Sequence, residues 1–332
     1  MQFRGVILLA ITFVAFSCSK RAVYITNSGQ VYGTLYHIVY ESPGGEDFHQ
    51  AIDKKFREYT MIFSTFEKES VISKINNNEP VVPDKYFITC FKRSQEISAI
   101  TGGAFDITVA PMVNAWGFGF KNKQKITPGL IDSLKAITGY KTVKLVNGQI
   151  VKKHPNTMLD MSAISKGYTS DLIGDFLASE GCENYMVEIG GEVVAKGVNS
   201  RGTTWSIGIS KPNEDAMYDS EDINAVVHLD GKGLATSGNY RNFYVENGVK
   251  YAHTIDPKTG YPVQHSLLSS TVMANDCMTA DGFATAFMVL GLKKSIKLAN
   301  SIPDIAVYFI YADSTGNNQV YCSDNFKPYL EK

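Results

Sequence analysis

The sequence has 332 residues, and its 44% hydrophobic content supplies enough apolar side chains for one large core or two closely packed ones. Its 32 lysines and arginines balance 33 aspartates and glutamates, which excludes a surplus of positive charge for neutralising a nucleic-acid backbone or holding a membrane surface. A phosphate-bearing ligand must therefore be met by groups gathered at one place.

Arg4 carries the only early charge, and the apolar run from Gly5 to Phe16 is too short to cross a bilayer comfortably, as in the core of a signal peptide. Ser17-Cys18 follows, the arrangement for lipoprotein processing in which Cys18 is acylated and becomes the new N-terminus; an ordinary secretory signal with an incidental cysteine is the alternative. Residues 1–18 thus read as a signal peptide with a lipobox, 19–30 as a polar tether and 31–325 as the folded domain. Cys90, Cys182, Cys277 and Cys322 are widely spaced with no C-x-x-C among them, which suits buried thiols better than zinc ligands or disulfides.

The run 32–40 reads as a strand, and after the Pro43-Gly44-Gly45 turn Phe48, Ile52, Phe56, Tyr59 and Phe63 recur at helical spacing. A second helix is expected over 86–101, stopped by Gly102-Gly103, and a third over 165–180, with Leu172, Ile173, Phe176 and Leu177 inward and Gly181 ending it. β-rich runs follow at 185–189, 204–209, 225–229, 241–245 and 269–274; helices return at 279–290 and 293–300, and a last strand covers 306–311. This order is not a regular βαβ alternation and predicts an α+β fold with mixed or antiparallel sheets and packed helices.

Five segments carry more polar and glycine residues than core packing explains. Gly102 to Thr108 holds Asp106 between apolar neighbours, and the Trp116, Phe118 and Phe120 rings that follow could receive a flat ring system or form a small aromatic core. In Asp160 to Gly167, backbone amides and Lys166 could face an anion at a helix N-terminus, or Ser162 or Ser165 could simply cap that helix. The Gly190-Gly191 pair before Glu192 lets a ligand approach the main chain, or makes a plain turn. His253 to Pro262 sets an imidazole, suited to proton transfer near neutral pH, three residues before Asp256, which could instead initiate the turn. Asp281 and Thr285, four apart, share one helix face among Phe283, Phe287 and Met288; a buried carboxylate there needs a partner, and Mg²⁺ with its oxygen ligands would provide one. The alternative is an acid favoured by the helix dipole, with Thr285 bonding back one turn.

In order along the chain, Phe63-Ser64-Thr65-Phe66 with Ser70, FDITVAPMVNAWGFG from Phe105, DMSAISKGY from Asp160, GGE from Gly190, SGNYRNF from Ser237, HTIDPKTG from His253 and ADGFATA from Ala280 span nearly the whole mature chain. Together they resemble the FAD:protein FMN transferase family, the ApbE flavinyltransferases, many of which are periplasmic lipoproteins. The resemblance implies an ApbE-like, T-fold-like architecture and an FAD site formed by Phe66, Ala104, Phe105, Asp106, Asp160, Lys166 and Ile255. It implies a Mg²⁺ site on Asp281, Thr285 and the backbone carbonyl of Ala163, and catalytic roles for His253 and Asp256. Where many relatives read G-A-I-A-K-G, this chain has Ser162-Ala163-Ile164-Ser165-Lys166-Gly167, and Phe66 stands where tyrosine is often found.

The implied reaction splits FAD, releases AMP and attaches FMN through its phosphate to a threonine or serine of an acceptor protein, often a membrane-bound electron-transfer subunit. The implied location is the periplasm, with a lipid anchor at Cys18 as the only membrane attachment. Two alternatives are a Mg²⁺-dependent FAD pyrophosphatase on the same fold and a lipid-anchored flavin-binding protein without turnover.

Overall fold

The computed structural model describes residues 23–212, 223–239, 243–246 and 249–331. The signal segment, Cys18 and residues 240–242 of the SGNYRNF motif lie outside the described residues.

A sheet of eight strands runs through the molecule in the order β1 (Val23–Val31), β2 (Thr34–Ser42), β5 (Tyr185–Ile189), β6 (Glu192–Lys196), β9 (Lys232–Gly238), β12 (Leu267–Ala274), β13 (Ala306–Ala312) and β14 (Asn318–Cys322). Every neighbouring pair is antiparallel, so the fold is α+β with an antiparallel sheet. Because strand side chains alternate between faces, one sheet feeds two cores. Ile38, Tyr40, Val187, Val272, Val307 and Phe309 point to a helical layer. Met186, Val193, Leu234, Met273, Tyr308 and Ile310 point the other way, where the hairpin β7 (Trp205–Ser210) and β8 (Ile223–Leu229) closes over them with Phe326.

The helical layer is built from α1 (His49–Phe63), α3 (Lys85–Ile100), α6 (Ser165–Ser179), α7 (Cys277–Leu290) and α8 (Leu292–Ala299), with the one-and-a-half-turn α2 (Val71–Asn76) beside α1. All five apolar residues of the first helical pattern are buried: Phe48, Ile52, Phe56, Tyr59 and Phe63. Gly102 (φ 61°) and Gly181 (φ 85°) carry the chain out of α3 and α6 in the left-handed region that only glycine enters cheaply. A smaller cluster of Met112, Trp116 and Ile255 forms around α4 (Ala110–Trp116) and α5 (Pro128–Ala136), with Tyr251 of the hairpin β10–β11 (Phe243–Glu246, Val249–Ala252) packed against it, whereas Val143, Leu145 and Ile150 of the hairpin β3–β4 (Val143–Val146, Gln149–Lys152) join the main core.

Residues 23–30, expected as tether, instead form most of β1, paired along its whole length with β2 through a turn at Tyr32-Gly33. The polarity that suggested a tether belongs to an edge strand: of its nine residues only Asn27 is buried, and its amide bonds Asp47 Oδ1 (3.0 Å) and the Tyr40 hydroxyl (3.1 Å).

Candidate active site

α6 and α7 cross at very short range, and this crossing creates the chemistry. A Cβ added at Gly167 would lie 2.4 Å from the Cys277 carbonyl oxygen and 2.8 Å from Asp281 Cβ, so α6 can approach α7 this closely only through a glycine. The helices are then tied in both directions. Asp171 of α6 accepts the Cys277 and Met278 amides at the start of α7, each at 2.8 Å. Asp281 of α7 accepts the Gly167 amide of α6 at 3.0 Å. In a regular helix Gly167 would donate to Ala163; here that amide is turned to Asp281, and the Ala163 carbonyl receives no backbone donor among the described residues. Neither Ser162 nor Ser165 caps α6, whose N-cap is Ile164, and Thr285 bonds Ser237 Oγ (3.2 Å) and not its own preceding turn.

Ala163, Ser237, Asp281 and Thr285 line a cavity of about 490 Å³ together with Ala104, Phe105, Asp106, Asp160, Lys166, Gly190, Glu192, His253 and Ile255. Most of the residues expected at an active site are thus brought together. Lys166 Nζ sits 2.7 Å from Glu192 Oε1. Burial pulls the Lys166 ammonium down, but Asp281 and Glu192 outweigh it and leave the group above its ordinary value. Burial raises the Asp281 carboxyl, with Lys166 and the Gly167 amide pulling against it. The anion-binding potential of the α6 N-terminus and of Lys166 is thus met in part by the protein's own carboxylates.

Asp106 lines the cavity but is already committed: Oδ1 accepts the Thr108 amide (2.8 Å) and hydroxyl (2.6 Å), and Oδ2 accepts the Tyr140 amide (2.7 Å). Burial raises its carboxyl and these donors oppose the rise. Asp106 therefore fixes the 104–108 loop, which presents its backbone to the cavity. Asp160 does the same for the next loop, accepting the Ser162 amide at 2.8 Å. Gly190 (φ 66°) and Gly191 (φ 100°) form the two-residue hairpin turn between β5 and β6, both in the left-handed region such a turn requires, and Gly190 reaches the cavity wall.

Two expected residues are not brought in. Asp256 is absent from the lining; its Oδ1 accepts the Lys258 amide (2.9 Å) and its carbonyl the Gly260 amide (2.8 Å), so it organises the 256–260 turn. Phe66 is 78% exposed and meets Phe120 edge-on at 6.2 Å, outside the lining. Conversely, Glu192, which the sequence offers only as the residue after the Gly190-Gly191 pair, lines the cavity. It is 3% exposed, with Oε2 buried and without a partner among the described residues. The signal was an acid at the first position of a central strand, directly after the Gly190-Gly191 pair.

No three His, Cys, Asp or Glu side chains cluster into a ready-made metal cage among the described residues. The oxygen set that does converge is one carboxylate, one hydroxyl and one undonated carbonyl, beside a second buried carboxylate with an orphan oxygen. Among the described residues Lys166 is the only lysine or arginine in the lining, against the carboxyl groups of Asp106, Asp160, Glu192 and Asp281. This is an all-oxygen, electron-rich, incomplete shell, which fits Mg²⁺ with water or phosphate in its remaining positions.

The ApbE family model matches residues 32–309. The chain belongs to the ApbE family. Among its relatives, the FAD:protein FMN transferase of Vibrio cholerae is 36% identical over 98% of this chain and 98% of its own, and that of Escherichia coli is 31% identical over 99% and 98%. The solved flavin transferase ApbE from Vibrio cholerae superposes with a TM-score of 0.84 at 36% identity, covering 93% of this chain and all of that one. An ApbE protein from Thermotoga maritima gives 0.81 at 29% identity, covering 93% and 100%. The ApbE match begins at the β1–β2 turn and ends within β13, so it takes in every element that lines the cavity.

Proposed function

We propose that this chain is a Mg²⁺-dependent FAD:protein FMN transferase that joins FMN, through its phosphate, to a threonine of an acceptor protein. The observation that carries the reading is the convergence of Ala163, Lys166, His253, Asp281 and Thr285 on one cavity in an ApbE-family chain whose curated relatives are named for this activity. Asp281, Thr285 and the Ala163 carbonyl are the residues that would hold Mg²⁺, which when bound offsets the charge of the FAD pyrophosphate and stabilises the charge that develops as it splits.

The chain's own residues do the rest. The 104–106 backbone and the Asp160 loop orient the nucleotide, and Lys166, kept charged by Asp281 and Glu192, stands beside the pyrophosphate. In the transfer, the threonine Oγ forms a bond to the FMN phosphorus. The bond from that phosphorus to the bridging oxygen breaks, its electron pair leaving with AMP, and the threonine proton passes to His253 and on to solvent. His253 suits that task because it lines the cavity yet stays partly open to an incoming polypeptide. The test is incubation with FAD, Mg²⁺ and a threonine-bearing electron-transfer subunit: equal amounts of AMP and of an FMN mass adduct on threonine are expected. AMP with free FMN and no adduct would instead assign the site to FAD hydrolysis, and FAD left intact would reject the reading.

The apolar run up to Phe16 and the Ser17-Cys18 pair support attachment to a bacterial membrane by a lipid on Cys18, with the catalytic domain in the periplasm. No helix among the described residues is long and apolar enough to cross a membrane. Cys18→Ala is expected to move the protein from the membrane fraction to the soluble one or to block its processing; an unaltered membrane fraction contradicts the anchor.

A further inference from the structure

The cavity described above accounts for a nucleotide, but a transferase must also hold a polypeptide. A second cavity, about 290 Å³, lies against the other side of α4. The two share walls. Val109 and Val113 line the first, Pro111 and Asn114 the second. Asp160 lines the first, and Met158, two residues earlier, the second. Phe118, which lines the first cavity with its ring 6.4 Å from the His253 ring, starts the loop that carries Gln124 to the rim of the second, where the Gln124 main-chain amide bonds Ala115 O at 2.9 Å.

Its chemistry differs from the first. Among the described residues its lining holds no acid and no aromatic ring, and its one cation, Lys121, is exposed with Nζ 3.7 Å from Met158 Sδ. A flavin or base would find no ring to stack on there, and a phosphate would find a single solvated charge. Side-chain amides dominate instead: Asn77, Asn78, Gln124 and Asn156 at the rim, and Asn114 as a buried member. Asn114 is 2% exposed; its Oδ1 accepts the Lys121 amide at 3.2 Å, while its Nδ2 has no partner among the described residues. A buried donor left unmatched is costly, which marks a position awaiting an acceptor atom. Amide side chains carry both the donors and the acceptor that complement a peptide group.

We infer that this cavity is the subsite for the acceptor polypeptide, holding the backbone a few residues to one side of the threonine presented to His253. The inference rests on the transferase reading and adds where the protein substrate is gripped.

The test uses the full-length protein with FAD, Mg²⁺ and a pool of capped nine-residue peptides, each with one central threonine and randomised flanks free of serine. Adducts are sequenced by mass spectrometry. For the wild type, selection is expected on one flank of the labelled threonine. Asn114→Asp, which keeps the acceptor for Lys121 and removes the donor, should label peptides about tenfold less, the loss of one buried hydrogen bond. Asn156→Trp, an exposed rim substitution that fills the cavity without touching the core, should erase the flank selection. FAD affinity and FAD cleavage without peptide should stay unchanged in both. Selection and yield identical to wild type in a folded Asn156→Trp protein overturn the subsite, as does a wild type that labels peptides with no flank preference; FAD cleavage with no labelled peptide would instead assign the site to hydrolysis. Failure of the wild type to bind or cleave FAD at all would instead reject the transferase reading.

Discussion

Glu192 and Lys166, 2.7 Å apart, form the contact on which the charge balance of the cavity turns. Burial drives the Glu192 carboxyl up to about 8; Lys166 opposes that rise and Asp281 adds to it. The folded protein therefore keeps this proton at pH values where the unfolded chain, with an ordinary value of 4.5, has lost it. The resulting stability is complete on the acid side of 4.5 and is lost as pH rises through 8. In EDTA the urea midpoint of the wild type should fall across that window more steeply than that of Glu192→Gln; parallel curves would remove Glu192 from the balance. His253 makes a separate prediction. His253→Ala should slow FMN transfer by ~10²–10⁴-fold, the usual scale for general base catalysis, while FAD affinity measured by flavin fluorescence stays near wild type; transfer at a near-normal rate would shift the proton to water or a carboxylate. At this scale the shared helix face of Asp281 and Thr285 was legible in the sequence, because side chains four apart on a helix project together. The cavity position of Glu192 and the turn position of Asp256 were not, since the Asp-Pro turn looks the same whether or not its carboxylate faces a cavity, and a buried acid beside Gly-Gly looks like a turn residue.

The crossing of α6 and α7 decides where Asp281 and the Ala163 carbonyl meet. Gly167→Ala would force a methyl group onto the Cys277 carbonyl and Asp281 Cβ, so the helices must separate. The expected cost is about 1–3 kcal/mol, as for overpacking in a tight core, read as a lower urea midpoint, together with weaker Mg²⁺ binding by calorimetry. Unchanged stability and metal affinity would show that the close approach is not required. Helical elements were legible because their apolar residues repeat every three or four positions and glycines end them: the expectations of 86–101 and 165–180 became Lys85–Ile100 and Ser165–Ser179. Strands lacking such a signal were not. β1 is a polar edge, β6 begins with Glu192 immediately after a glycine pair, and β9 (KGLATSG) has two glycines and two hydroxyls among its seven residues. Their pairing comes from neighbours distant in sequence, which a local pattern does not contain.

Across the whole molecule, one antiparallel sheet supports two cores, and the cavity opens at the helical face where the loops after α3, before α6 and after β11 meet the side of α7. The α+β class could be read from the order of elements, but the second core could not, because alternation along β5 and β13 is hidden when both faces are covered. The central claim at this scale is that the assembled site is completed by a divalent cation on Asp281, Thr285 and Ala163, and that FMN transfer depends on it. Thr285→Ala, which removes a neutral ligand and leaves the charge, should be partly rescued by excess Mg²⁺, whereas Asp281→Ala should not. The most direct measurement is the FMN adduct formed on a threonine-bearing acceptor in EDTA and with Mg²⁺ titrated back, for the wild type and Asp281→Ala. Labelling that vanishes in EDTA, returns with Mg²⁺ in the wild type and stays absent in Asp281→Ala is the expected result; full labelling in EDTA, or an Asp281→Ala protein that transfers FMN normally, would contradict the account.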